Sequence, residues 1–270
     1  MRGLTRAVVV LVVLAAGTPT LVCAAPPGTL LRLDTVQDHF YNGRYTEAAA
    51  LAQELPIHDG DLAVYEMRTT AILFQIRRAM GDAKDRGRAY KACAACPRLM
   101  ADFTREFEAG RAAARAAVSE RPDDADARFF LGKINLNWVW LYLGTLGRRT
   151  GWNEYWEARR SLDAALERAP MHQRARVARA WIDYIVDTRM PWGTEWMLGG
   201  GDRKRALAVM REVVEQRDDF YVHAEAMFGL WDMQVREKDH KAALTTAVRL
   251  LDLFPNNPEV AQFVSRTKPK

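Results

Sequence analysis

Cys93 and Cys96 stand three residues apart, directly ahead of Pro97, and that spacing admits several chemistries. Haem attachment requires a histidine immediately after the second cysteine, and Pro97 occupies that place. Zinc requires two further ligands, and the five histidines His39, His58, His172, His223 and His240 show no metal spacing. A redox centre would gain from a thiolate at a helix N-terminus, and Pro97 is suited to a first helical turn, but the strands of a thioredoxin-like context are missing. A structural disulfide closing a short local loop is the default in an exported chain. The sequence thus offers a Cys93–Cys96 staple, keeps a thiol-redox role as an alternative, and calls for no cofactor and no metal.

A second constellation is Gly199-Gly200-Gly201-Asp202 ahead of Arg203-Lys204-Arg205. Successive amides at a helix N-terminus can hold an anion. The strand of a dinucleotide fingerprint and the lysine-serine ending of a phosphate loop are absent, so a turn leading into a helix, with Asp202 as its cap, is the plainer reading. All eight tryptophans follow residue 137. Trp138, Trp156, Trp181 and Trp231 fall within helices and read as core. Trp152, Trp192 and Trp196 fall in or beside loops and read as surface or cleft residues. Asn135 and Asn137 on an apolar helix need buried partners and read as braces for a loop. Asp183 with Asp187, and Glu157 with Arg160, share helix faces and read as caps or pairs. No serine-histidine-acid order, metal-binding helix motif or isolated carboxylate pair stands out, and the chain is read as non-enzymatic.

The elements that position these residues are helices. Ala224 to Asn257 reads without a gap as one 34-residue helix-turn-helix. Ala224, Ala226, Phe228 and Leu230 carry the packing spacings of a first helix, Ala243, Ala247, Leu250 and Leu251 those of a second, and Pro255 stops it. In this unit the chain resembles the tetratricopeptide (TPR) family. It departs from the family pattern at Met227 and Trp231, where tryptophan and glycine are usual, and at His240, where tyrosine is usual. The resemblance implies a right-handed α-solenoid that binds protein partners. Leu198-Gly199-Gly200 with Asp202 and Ala206 is similar, with one extra glycine, to a turn of the TatT family, periplasmic helical-repeat proteins associated with TRAP-type transporters. That resemblance implies the alternative of a transport-accessory protein binding a small ligand.

At 270 residues, 49% hydrophobic and 27% charged, the chain can bury a sizeable core. Arg2 and Arg6 precede an apolar run from Ala7 to Ala16 and a small-residue site at Val22-Cys23-Ala24, the layout of a secretory signal peptide over residues 1–24. The run is short for a membrane span, and the residues before Cys23 fit a lipid-attachment box poorly. Cleavage removes Arg2 and Arg6 and no acid, lowering the net charge from +5 to +3. With only short basic runs, nucleic acid is not an expected partner, and no membrane span is expected in the mature chain.

Along the chain, TPR-like units are expected at about 33–56, 61–122, 125–170, 173–218 and 224–257, with a closing helix over 258–266, all in one domain from residue 25 to 270. Two-residue alternation is almost absent, so the fold class is all-α: about five helix pairs. Three insertions, around Cys93, Thr145 and Gly200, fall between the two helices of successive repeats. Equivalent loops of a solenoid lie along one edge, so these should adjoin. The candidate partner or ligand surface is therefore Arg148, Arg149, Trp152, Trp192, Trp196, Gly199, Gly200 and Gly201. The expected function is an exported, periplasmic protein-binding scaffold whose partner is an envelope or transporter component.

Overall fold

The computed structural model describes residues 27–58, 61–189, 195–217 and 219–267, with side chains from residue 32 onward. The expected signal peptide lies outside the described residues. The described chain is all-α and forms a TPR-like solenoid of five helix pairs. The first pair is α1 (Pro27–Tyr41) and α2 (Tyr45–Glu54). The second is α3 (Leu62–Met80) and α5 (Cys96–Glu120), with a short α4 (Arg86–Ala92) between them. The third is α6 (Ala125–Val139), prolonged by a π-helical turn over Trp140–Thr145, and α7 (Trp152–Arg168). The fourth is α8 (Gln173–Arg189) and α9 (Arg203–Glu215), separated by a 3₁₀ turn over Glu195–Leu198. The fifth is α10 (Phe220–Arg236) and α11 (His240–Leu253), and α12 (Pro258–Thr267) closes the chain.

The helix starts follow from local chemistry. Asp85, Asp124, Asp202, Asp219 and Asp239 each accept a hydrogen bond from an amide of the first turn of the helix that follows, satisfying donors that a helix leaves unpaired. Pro97 sits in the first turn of α5. Within pairs, small residues set the crossing distance. A Cβ on Gly132 would lie 2.7 Å from Leu162 Cγ, and one on Gly110 would lie 2.8 Å from Tyr65 Cβ. Ala48, Ala114, Ala158 and Ala243 are fully buried at comparable positions. At such contacts a larger side chain would push the backbones apart. Buried arginine does one unusual job: Arg68 donates to the carbonyls of Ala52 and Leu55 at the C-terminus of α2 and pairs with Glu106 of α5 at 3.0 Å.

Three expectations need correction. The fifth pair begins at Phe220 rather than Ala224, because Asp219 caps it. The first insertion is not all loop, since Asp85 starts the extra helix α4. Asn137 braces a helix instead of a loop: its Nδ2 donates to the hydroxyls of Thr69 and Thr70 on α3, while Asn135 donates to Leu131 one turn back in its own helix.

The two ends of the solenoid meet. The ring of Tyr41, at the end of α1, lies 5.4 Å from Phe228 and 5.3 Å from Phe254. The Tyr221 hydroxyl donates to the Asp34 carbonyl at 2.8 Å, and Asn257 Nδ2 donates to the Tyr41 carbonyl at 2.8 Å. Gly43 has φ +75°, and a Cβ there would lie 2.6 Å from Pro258 Cδ, so the turn of the first repeat is fitted to the start of α12. Five helix pairs thus bend until the first touches the last.

Candidate functional site

Closure decides what the inner face can offer. The first helix of each pair faces inward, and four of them contribute charge. Arg174 of α8 pairs with Glu66 of α3 at 3.1 Å and with Glu225 of α10 at 3.4 Å, and Lys133 of α6 pairs with Glu225 as well. The α3–α8 and α6–α10 contacts skip a repeat, so they bridge the ring. Arg174 also lies 4.7 Å above the Phe129 ring, a favourable position for a cation over an aromatic face. Burial works to raise the Glu225 carboxyl, but Lys133 and then Arg174 outweigh it and hold the group down at about 2. Burial pushes the Tyr41 phenol well above its ordinary value, with Glu225 adding to the effect. This network of Tyr41, Glu66, Lys133, Arg174 and Glu225 was missed in the sequence. The signal was present as single charges on helices that are otherwise apolar inward, but nothing in one sequence says which charges meet.

The insertion edge is built differently. Arg86 of the first insertion donates to the Thr145 carbonyl of the second at 2.7 Å, and the Arg148 guanidinium lies over the Tyr90 and Tyr142 rings at 5.5 and 6.0 Å. The second and third insertions are joined through α7. Tyr155 donates to the Leu198 carbonyl at 2.7 Å, and Arg159 donates to the carbonyls of Leu198, Gly199 and Gly200. The three insertions therefore adjoin, as equivalent loops of a solenoid do.

The described candidate residues have definite places on this edge. Arg148 and Arg149 are exposed, Trp152 is 51% exposed at the start of α7, and Trp196 is 75% exposed on the 3₁₀ turn. Trp192 lies outside the described residues. Leu143 and Met197, 43% and 56% exposed, extend the apolar surface; the sequence reading passed over both. The glycines do positioning work. Gly199 and Gly200 adopt φ +80° and +78°, which turns their carbonyls onto Arg159, and a Cβ on Gly201 would strike the Asp187 amide at 2.5 Å. The amides of Gly199 and Gly200 are bonded within the turn, that of Arg203 to Asp187, and that of Arg205 to Asp202. The turn presents carbonyls to a cation and has already spent these amides.

Between Leu143, Trp152 and Leu198 lies a cleft of about 80 Å³, floored by Leu136, Val139, Ile182 and Val186 with Arg189 at its mouth. Small-molecule sites run from roughly 300 Å³ upward, so this recess is side-chain sized. Cys93 and Cys96 are disulfide-bonded, Sγ to Sγ 2.10 Å, across the turn from α4 into α5. Among the described residues, no three histidine, cysteine or acidic side chains gather as a metal set, and no helix is long and apolar enough to cross a membrane.

A tetratricopeptide-repeat family model matches residues 102–137 and 198–258. The chain carries tetratricopeptide repeats. The first match runs from α5, the second helix of one pair, into α6, the first of the next, and the second runs through α9, α10 and α11 to the start of α12, where connections are short and regular. Residues 138–197, between the matches, hold the second insertion and most of the third, so the TPR pattern breaks where this edge is built. No curated protein matches the chain.

Proposed function

We propose that the chain is a protein-binding TPR scaffold, exported to the periplasm, whose partner docks on the insertion edge. The observation that carries this reading is the division of the surface. The inner face is engaged in ion pairs and ring stacking with itself, whereas Leu143, Trp152, Trp196 and Met197 are exposed together on one edge. Clustered exposed apolar side chains mark interaction sites, and tryptophan and arginine dominate binding energy where they occur. The reading involves no catalysis. A transport-accessory protein holding a small ligand would call for an enclosed cleft several times larger than the recess beside Trp152.

Site-directed photo-crosslinking tests the edge. A photoreactive amino acid at Trp196 should yield protein adducts in the native envelope, and the same probe at Val248, exposed on α11, should not. Adducts from Val248 alone would reject the edge. For export, the processed chain should begin at Ala25, and retention of residues 1–24 in the soluble cytoplasmic fraction would overturn that part.

A further inference from the structure

We infer that the cleft beside Trp152 seats one large apolar side chain of an acidic protein segment. This rests on the scaffold reading and names the chemistry of its partner. Three observations carry it. The first is size, because a recess of about 80 Å³ accommodates a single leucine-, methionine- or phenylalanine-like side chain and not a whole ligand. The second is lining: the floor is aliphatic, and the rim residues Leu143 and Trp152 are about half exposed, so an entering side chain would remove apolar surface from water on both partners. The third is charge. Residues 81–95, 143–152 and 195–205 hold nine lysines and arginines against four acids, a net +5 equal to that of the entire chain, so the remaining residues balance.

That charge is partly free. Arg86 is committed to backbone carbonyls, but Arg148 and Arg149 are exposed, carry no ion pair among the described residues, and belong to the loop that joins the cleft residues Leu143 and Trp152, with the Arg148 guanidinium over the Tyr90 and Tyr142 rings. Arg189 stands at the mouth. A positive rim steers and orients an acidic partner, and the recess supplies an anchor point. An anionic bilayer would satisfy the charge but could not place one side chain into a recess, so the geometry points to a peptide.

The test selects displayed random peptides on the processed protein. Enriched peptides should be net negative with one leucine, isoleucine, methionine or phenylalanine between the acids. Their affinity should fall at least about tenfold with Arg148→Glu/Arg149→Glu and again with Ile185→Trp, because Ile185 also lines the cleft and the larger ring fills it. Leu143→Glu, at an exposed position, gives the same readout should the Ile185 variant fail to fold. Enrichment of neutral or basic peptides, or binding indifferent to these changes, overturns the inference. Preference for phosphatidylglycerol vesicles over every peptide also overturns it. Protein adducts at Trp196 combined with either result would leave the scaffold reading standing and reject this chemistry alone.

Discussion

Glu225 is the residue on which the inner network turns, because it receives both Lys133 and Arg174. Its carboxyl sits near 2 in the fold and near 4.3 in an unfolded chain. A depressed folded value means that the group stabilises the fold fully above the unfolded value and loses that contribution as pH falls from about 4.5 to 2. The full difference is on the order of 3 kcal/mol. Denaturant titrations at several acid pH values should show this limb in the parent and a shallower one in Glu225→Gln. A slope remains from Glu157 and Asp126, which are also held below their ordinary values. Equal slopes would mean that the pairing contributes nothing. The glycine turn offers a second residue-scale contrast. Gly200→Ala meets open space and carries only the cost of a positive φ, about 1 kcal/mol, whereas Gly201→Ala drives a methyl into the α8 backbone and should cost about 2 kcal/mol or more. Melting temperatures should rank the two in that order. The three glycines were visible in the sequence as a turn. The task of Gly199 and Gly200, presenting carbonyls to Arg159, was not, because Arg159 lies 40 residues before Gly199 in the chain and its direction is set by α7.

At the scale of elements, the sequence announces what local chemistry controls. Pro97, Pro122 and Pro255 bracket helices, aspartates cap them, and alanine or glycine marks the close crossings, so the pairs could be read off in order. Helix α4 was harder to see because none of its residues is buried, which leaves no apolar stripe. Its cue was the Asp85 cap, and its far end is tied by the Cys93–Cys96 bridge. A loop this short constrains the unfolded chain only modestly, so replacing both cysteines by alanine should cost about 2 kcal/mol. Hydrogen exchange should place the loss in α4 and the first turn of α5. Partner binding measured on the same protein separates the two roles of the pair. Binding that survives with a local loss of protection is the behaviour of a staple, and binding abolished at unchanged stability would assign the cysteines to thiol chemistry instead.

Closure belongs to the whole molecule, and it was the feature least legible in advance. Repeat spacing specifies how each pair sits on the next, but whether five pairs meet end to end depends on the small rotation accumulated at each step. Tyr41, Asn257 and Pro258 look like ordinary turn and core residues until that sum is known. The consequence is energetic. An open solenoid is stabilised by neighbour contacts alone and can lose its ends independently. Here the first repeat leans on the last through Tyr41, and the second, third, fourth and fifth are crossed by Arg174 and Lys133. The parent protein should therefore unfold in one denaturant transition, with α1, α2 and α12 exchanging amide hydrogen only on global opening. Tyr41→Ala combined with Arg174→Met removes the ring stack and the Arg174 ion pairs, leaving Lys133–Glu225 as the one remaining described ion pair across the ring, and should lower stability by about 3 kcal/mol or more. More tellingly, it should split the transition, so that the terminal repeats open at lower denaturant while α5–α8 remain protected. If the parent already frays from both ends, the contact between first and last repeats carries no coupling. If the double variant still unfolds in one step, nearest-neighbour packing alone makes the molecule cooperative.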